Sequence, residues 1–124
     1  MVQIINGTCY STRHDKKLAE YKINRSMSNI KYFEETLHVT EHGNYYLHGF
    51  GQNWSKYAQE NPHDKSYTGY SPGEKIIPMT LAQARDWTKK CTRIEGFFEV
   101  FNYTDIFGDI GILALYEIEA EDII

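Results

Sequence analysis

The sequence predicts an α+β fold, in which a small antiparallel sheet packs against one main helix. Paired strand patterns flank turn signals near the N-terminus and again over residues 33–50. A capped, amphipathic helix pattern follows over residues 80–90, after a long polar loop at residues 51–74. Strands that precede a single helix are typical of this class. The 124 residues predict a single domain that ends in an acidic segment, residues 95–124.

The first hairpin is predicted by Asn6-Gly7, which lies between the strand-like runs Val2–Ile5 and Thr8–Tyr10. Asn-Gly favours the two-residue turns that match the twist of paired strands. Arg25–Asn29 is predicted to be a linker. Three apolar residues before it fit either a strand or a helical turn: Leu18, Tyr21 and Ile23.

The central hairpin is predicted to pair Phe33–Thr40 with Asn44–Phe50 through a two-residue turn, His42-Gly43. Glycine accepts a positive φ, and histidine tolerates it better than most residues. This register pairs His38 with Leu47 and puts His38 and His48 on opposite faces of the sheet.

The polar loop starts at Gly49 and Gly51, which mark a strand end, a bulge or a close backbone approach. Ser55–Ala58 fits one helical turn, and Asn61–Gly73 is rich in loop-forming residues. A loop of this length is usually functional or mobile. Lys75–Ile77 is predicted to be a short strand before Pro78.

The helix is predicted from Thr80, an N-cap residue, and from Gln83, which completes a capping box. Its apolar face predicts that Trp87 is buried, whereas Trp54 in the polar loop is predicted to be partly exposed. Three later elements are also predicted: a short helix over Phe97–Phe101, a turn at Asp105–Gly108 and a strand over Gly111–Ile118.

The charge is unevenly distributed along the chain. Residues 1–93 hold all 13 basic residues and nine of the 17 acidic ones, a net charge of +4. The residues beyond hold eight acidic residues and no basic one, so the two parts differ in sign. Within the first part, residues 13–31 form a basic segment.

The expected location is the cytoplasm. Met1-Val2-Gln3 leads directly into a strand-like run, so we expect no signal peptide. No apolar run approaches the roughly 20 residues of a membrane helix. Cys9 and Cys91 are expected to be free thiols in a reducing compartment.

No catalytic residues are predicted, and we expect no enzymatic activity. Zinc needs three or four converging Cys or His ligands, and the least unfavourable set is Cys9, His14 and Cys91. The simpler interpretation is surface histidines and buried thiols without any cofactor. Cys9, His14 and Asp15 are residue types of a nucleophilic site, but they lie in no recognisable motif.

Several short motifs resemble a family of small proteins from Gram-positive bacteria, their phages and conjugative elements. The motifs occur in order over residues 3–90: Ile4-Ile5-Asn6-Gly7 with Tyr10 and Thr12, Glu35-Thr36-Leu37, Gly43-Asn44-Tyr45-Tyr46-Leu47 with Gly49 and Gly51, Ser55-Lys56-Tyr57, and Ile76-Ile77-Pro78-Met79 with Ala84 and Trp87. The chain departs from the pattern at Cys9, at Phe50 and beyond about residue 110. The resemblance implies a shared fold and a mobile-element setting, and it implies no catalytic residues.

The leading functional hypothesis is stoichiometric binding to a host protein. The predicted partner-binding residues are Trp54, Tyr67, Tyr70, Glu117, Glu119, Glu121 and Asp122. With a mobile-element setting, this favours an anti-CRISPR protein that blocks DNA loading or a recognition domain of a type II RNA-guided nuclease. In that case, the acidic segment stands in for DNA phosphates.

The alternative hypothesis is a small nucleic-acid-binding accessory protein. The basic segment would contact phosphates, and four aromatic residues would stack on bases: Tyr10, Tyr21, Tyr32 and Trp54. The overall net charge of −4 argues against this hypothesis, because affinity for phosphate chains depends on local positive charge.

Overall fold

The computed structural model of the protein describes residues 1–63 and 69–108. Within these residues the elements are, in chain order, β1 (Val2–Ile5), β2 (Thr8–Ser11), β3 (Lys16–Ile23), β4 (Phe33–Val39), β5 (Tyr45–Gly51), β6 (Gln59–Glu60), β7 (Tyr70–Ser71), β8 (Gly73–Met79), α1 (Leu81–Cys91), β9 (Gly96–Val100) and α2 (Tyr103–Phe107). Neither described helix is long and apolar enough to cross a membrane.

The predicted α+β class is confirmed. Five antiparallel strands form one sheet in the order β8-β5-β4-β3-β9, and the helices pack on one of its faces. The main core lies between them and consists of Leu18, Ala19, Tyr21, Leu37, Leu47, Ala84, Trp87, Cys91, Ile106 and Phe107. Two short ribbons, β1-β2 and β6-β7, complete the described fold.

Helix α1 begins where the capping residues predicted it. The Gln83 backbone N–H donates to the Thr80 hydroxyl over 3.1 Å, and the Thr80 N–H donates to Gln83 Oε1 over 2.8 Å. These two bonds satisfy amide groups that the first helical turn leaves without partners. Ala84, Trp87 and Cys91 then face the core, so the predicted burial of Trp87 is confirmed.

The opposite face of the sheet is partly covered by the β1-β2 ribbon. Asn6 and Gly7 both have positive φ, as the predicted Asn-Gly turn requires. A second, smaller cluster joins the ribbon to the sheet through Tyr10, Tyr46 and Ile76. The rings of Tyr10 and Tyr46 meet edge to face with their centroids 4.9 Å apart.

The register predicted for the central hairpin is wrong by one residue. The turn has three residues rather than two, because the Thr40 N–H bonds to the Asn44 carbonyl and Gly43 takes φ +84°. His38 therefore pairs with Tyr46 rather than with Leu47. Since a shift of one residue moves side chains to the other face, His38 and His48 lie on the same face.

The segment predicted as a helix at Phe97–Phe101 is instead strand β9. Phe98 and Val100 pack against the core, while Phe97 and Glu99 point away, which is the alternation of a strand. Pairing with β3, from Ala19 to Ile23, selects this conformation. The same β3 pairing shows that Leu18, Tyr21 and Ile23 belong to a strand rather than to a helical turn.

Two further boundaries differ from the prediction. The turn expected at Asp105–Gly108 lies mostly within α2, and the strand expected at Lys75–Ile77 extends over Gly73–Met79. Pro78 is tolerated within β8 because β8 is an edge strand of the sheet. The strand predicted over Gly111–Ile118 lies outside the described residues.

Candidate protein-binding surface

Three glycines let the loop after β5 lie directly on the sheet. A Cβ atom at Gly49 would overlap the Tyr57 ring, and one at Gly51 would overlap the Ser55 side chain. A Cβ atom at Gly73, which pairs with Gly51, would overlap the Tyr57 carbonyl oxygen. Two of the three roles predicted for the glycines at positions 49 and 51 are therefore observed: both allow a close approach, and Gly51 also ends strand β5. We call Gly49, Gly51 and Gly73 the glycine cradle.

A buried carboxylate, Glu35 on β4, fixes the loop above the cradle. Its side chain accepts hydrogen bonds from the Tyr57 hydroxyl and from Trp87 Nε1, the latter over 3.2 Å. Lys56 Nζ lies 2.9 Å from Glu35 Oε2 and forms an ion pair. Burial, followed by the Glu35 carboxylate, raises the pKa of Tyr57, so this hydroxyl stays protonated and donates. A carboxylate that is only 4% exposed needs such partners to offset its lost hydration.

The polar loop has structure of its own. Strands β6 and β7 pair Gln59 with Ser71 and Glu60 with Tyr70, and the side chain of Tyr57 is buried. The Asn53 side-chain amide donates to the Tyr70 carbonyl over 3.0 Å. Both ends of the loop are thus joined to each other as well as to the sheet.

A third chain segment borders the loop at residues 27–32, part of which was predicted to be a linker. The Trp54 N–H donates to the Ile30 carbonyl over 2.8 Å, and the Gln52 N–H donates to the Tyr32 carbonyl over 2.9 Å. The Gln52 side-chain amide also donates to the Met27 carbonyl over 2.8 Å. These bonds hold the backbone of Trp54 in a defined position.

An exposed aromatic groove of about 520 Å³ forms where these segments meet. It is lined by Lys31, Asn53, Trp54, Ser55, Ala58 and Tyr70. Trp54 is 49% exposed and Tyr70 is 45% exposed, while the neighbouring Met27 is 58% and Ile30 39% exposed. We call this groove, together with Met27 and Ile30, the Trp54 surface. Adjacent exposed apolar side chains of this size commonly mark an interaction site.

The structure brings together two of the residues that the sequence assigned to partner binding, Trp54 and Tyr70. The partial exposure predicted for Trp54 is confirmed. The other five assigned residues lie outside the described part of the chain: Tyr67, Glu117, Glu119, Glu121 and Asp122. Sequence reasoning missed Met27 and Ile30, although two apolar side chains within an otherwise polar segment were a usable signal.

The weak zinc set is not assembled. Cys9 is exposed on β2, on the ribbon side of the sheet, whereas Cys91 is buried at the end of α1 in the main core. Burial raises the pKa of Cys91 to about 12, which keeps its thiol protonated. Within residues 1–63 and 69–108, no three His, Cys, Asp or Glu side chains are grouped so that they could hold a metal ion.

A cleft of about 990 Å³ beside the β1-β2 ribbon does contain Cys9, His14 and Asp15. Asp15, however, serves the fold: its Oδ2 atom accepts from the Ser11 N–H over 2.8 Å and from the Tyr46 hydroxyl over 2.7 Å. These bonds tie the end of the ribbon to the sheet. The cleft therefore gathers reactive residue types around a carboxylate that already has structural partners.

The basic segment at residues 13–31 is partly paired with carboxylates, and most of the aromatic residues assigned to base stacking are buried. Lys16 forms an ion pair with Asp105 at 3.2 Å. Glu20 forms ion pairs with Lys17 at 3.4 Å and with Lys22 at 3.6 Å. Of the four aromatic residues assigned to base stacking, three are buried: Tyr10, Tyr21 and Tyr32. Trp54 is the exposed one, and it belongs to the Trp54 surface.

Several motifs that carry the family resemblance meet in one place. These residues come from four of the motifs and belong to the cradle or to the Glu35 cluster: Glu35, Gly49, Lys56, Tyr57 and Trp87. Their proximity shows that residues from separate motifs support the same part of the structure. The family assignment itself stays a prediction. No family model, curated protein or solved structure matches the chain.

Proposed function

We propose that this protein acts by stoichiometric binding to a partner protein through the Trp54 surface. The observation that carries the proposal is the exposure of Trp54 and Tyr70 in one groove, next to the exposed Met27 and Ile30 of the bordering segment. Tryptophan, tyrosine and methionine are enriched at protein interfaces, and tryptophan and tyrosine supply a large share of binding hot spots.

The way the surface is held supports the same proposal. The backbone of Trp54 is bonded to Ile30, and the loop beneath it is fixed by Glu35 through Lys56 and Tyr57. A surface that is ordered before binding loses less conformational entropy when a partner docks. An aromatic side chain on such a support can act as an anchor for a partner.

The leading candidate partner is a host RNA-guided nuclease, so the proposed role is that of an anti-CRISPR inhibitor in the bacterial cytoplasm. The family resemblance to mobile-element proteins supports this choice, as does the acidic end of the sequence. Glu117, Glu119, Glu121 and Asp122 would face a basic channel that otherwise receives nucleic acid. Such an inhibitor would block DNA loading or occupy a recognition domain.

The first experiment measures binding of the purified protein to a type II effector nuclease and titrates its inhibition of DNA cleavage. We expect inhibition to saturate near one protein per nuclease. Trp54→Ala and Tyr70→Ala should each weaken binding at least tenfold, because each removes an interface anchor. Phe97→Ala is the matched control, since Phe97 is 55% exposed on β9.

Two results would overturn the proposal. Complete inhibition far below one protein per nuclease would indicate catalysis rather than binding. Equal binding by the Trp54→Ala, Tyr70→Ala and Phe97→Ala variants would remove the Trp54 surface from the interface.

The acidic residues are tested by neutralising Glu117, Glu119, Glu121 and Asp122 together. If they steer association towards a basic channel, the on-rate should fall while the off-rate changes little. The difference from the unmodified protein should shrink as the Debye length shortens from about 30 Å at 0.01 M salt to about 8 Å at 0.15 M. An unchanged on-rate at low salt would contradict the steering role.

A further inference from the structure

We infer that the Trp54 surface recognises an acidic peptide segment that carries an apolar anchor residue. This inference rests on the proposed function and specifies the chemistry of the partner at that site. It combines three features of the surface: hydrogen-bond donors without acceptors, a net positive charge among the groove-lining residues, and exposed apolar side chains on the segment that borders the groove.

Two hydrogen-bond donors at the groove have no partner among the described residues. Trp54 Nε1–H and the Lys31 ammonium make no hydrogen bond or ion pair within residues 1–63 and 69–108. The Tyr70 carbonyl, by contrast, already accepts from the Asn53 side chain. Since indole and ammonium groups can only donate, these two positions call for acceptor atoms on the ligand.

The charges near the groove also favour an anionic ligand. Lys31 is the one charged side chain among the described residues that line the groove, and it has no ion-pair partner in the described part of the chain. Lys56 is already paired with Glu35. Lys31 thus gives the described lining residues a net positive charge. The whole chain, in contrast, has a net charge of −4.

The apolar part of the surface favours a peptide over a nucleic acid as the ligand. Met27 and Ile30 expose flexible or branched aliphatic side chains beside Trp54. Such side chains bury an apolar side chain of a partner well, whereas a base would use only the aromatic planes of Trp54 and Tyr70 and leave Met27 and Ile30 exposed. A peptide with carboxylates beside an apolar residue would therefore provide acceptors for Lys31 and Trp54 Nε1 and would also cover Met27 and Ile30.

The test is a selection from a random peptide library displayed on phage, with the full-length protein as bait and the Trp54→Ala variant for counter-selection. We expect the peptides that depend on Trp54 to carry a net negative charge and at least one large apolar residue. A selected peptide is then synthesised with its Asp and Glu replaced by Asn and Gln. That replacement should weaken binding about tenfold, as should Lys31→Glu in the protein.

Arg13→Glu is the matched control, because it makes the same charge change at an exposed position in the β2-β3 turn. It should leave peptide affinity within twofold. The inference is overturned if no peptide depends on Trp54, if the selected peptides are neutral or basic, or if Lys31→Glu and Arg13→Glu act alike. Trp54-dependent binding of a 15-residue thymidine oligonucleotide in place of peptides would also overturn it, in favour of nucleic acid.

These outcomes are distinguishable from failure of the proposed function. If the nuclease requires Trp54 but the selected peptides are not acidic, protein binding stands and the stated ligand chemistry is wrong. If acidic peptides bind through Trp54 and Lys31 but the nuclease does not bind, the surface is assigned correctly and the leading partner is wrong.

Discussion

Replacing Gly49 by alanine tests whether the glycine cradle sets the position of the binding loop. The added methyl group would occupy the space of the Tyr57 ring, which lies against Gly49 and bonds to Glu35. The ring must then move, and it cannot move without leaving the carboxylate. The substitution therefore displaces the Tyr57 ring by a steric clash and removes a hydrogen bond from the Glu35 carboxylate.

The expected loss of unfolding free energy has two parts. Overpacking of a close contact typically costs about 1–3 kcal/mol. Loss of a hydrogen bond to a charged group costs about 1.5–3 kcal/mol more. Since the loop can relax in part, we expect Gly49→Ala to destabilise the protein by about 3–5 kcal/mol, near the middle of the combined range.

The assay is a double-mutant cycle followed by urea denaturation. In a Tyr57→Ala background the space above residue 49 is open, and Gly49 does not have a positive φ. Gly49→Ala should there be neutral, or stabilising by up to about 1 kcal/mol, because alanine restricts the unfolded chain. An equal cost of Gly49→Ala in both backgrounds would refute the steric argument, since Tyr57 would then not be the residue displaced.

Three further predictions concern single side chains. Trp87→Ala should cost about 3–5 kcal/mol of stability, because it empties a buried site, whereas Trp54→Ala should cost less than about 1 kcal/mol; the reverse order in urea denaturation would contradict the assignment of the core. Burial, followed by the nearby His48 and Lys17, lowers the pKa of His38 to about 4 from the usual histidine value of 6.5. As the pH falls, His38 therefore takes up a proton in the unfolded protein before it does so in the folded protein. The free energy of unfolding keeps its full value above pH 6.5 and decreases by about 3 kcal/mol as the pH falls towards 4. His38→Gln should flatten that part of the stability profile, and an unchanged slope would count against the burial of a neutral imidazole. Iodoacetamide should modify exposed Cys9 within minutes in the native protein and buried Cys91 only after unfolding, as mass spectrometry of both thiols would record; rapid native labelling of Cys91 would argue against its burial.

The elements that the sequence predicted well are those whose signals are local. The capping box at Thr80 and Gln83 satisfies nearby amides, and Asn6-Gly7 adopts positive φ without help from the rest of the chain. Each of these patterns carries its own energetic reason within about four residues. The same holds for the burial of Trp87, which follows from helical periodicity alone.

The errors occurred where distant residues decide between two local solutions. Gly43 can close either a two-residue or a three-residue turn, and the two differ by one residue in register. The observed register pairs Leu37 with Leu47 inside the main core, which local turn chemistry could not reveal. The apolar run at Phe97 was similarly ambiguous, because a short run fits a helix or a strand until its neighbour β3 is known.

For the same reason, only part of the candidate site could be predicted from the sequence. The exposed Trp54 could be proposed from its polar surroundings, but its support could not. Glu35 meets Lys56, Tyr57 and Trp87 across separations of about 20 to 50 residues along the chain, and no periodicity encodes such contacts.

The dependence of the binding loop on Glu35 has a consequence for protein engineering. A peptide copied from the Trp54 loop alone would leave behind the cradle, the carboxylate and the indole of Trp87, so it would not keep its shape. The backbone amides of Gln52 and Trp54, which bond to Tyr32 and Ile30, should exchange their hydrogens more slowly in the full protein than in such a peptide. A transplantable version of the surface must therefore carry β4, β5, β8 and α1 with it, so three neighbouring strands and a helix are the smallest unit that can be moved to another scaffold.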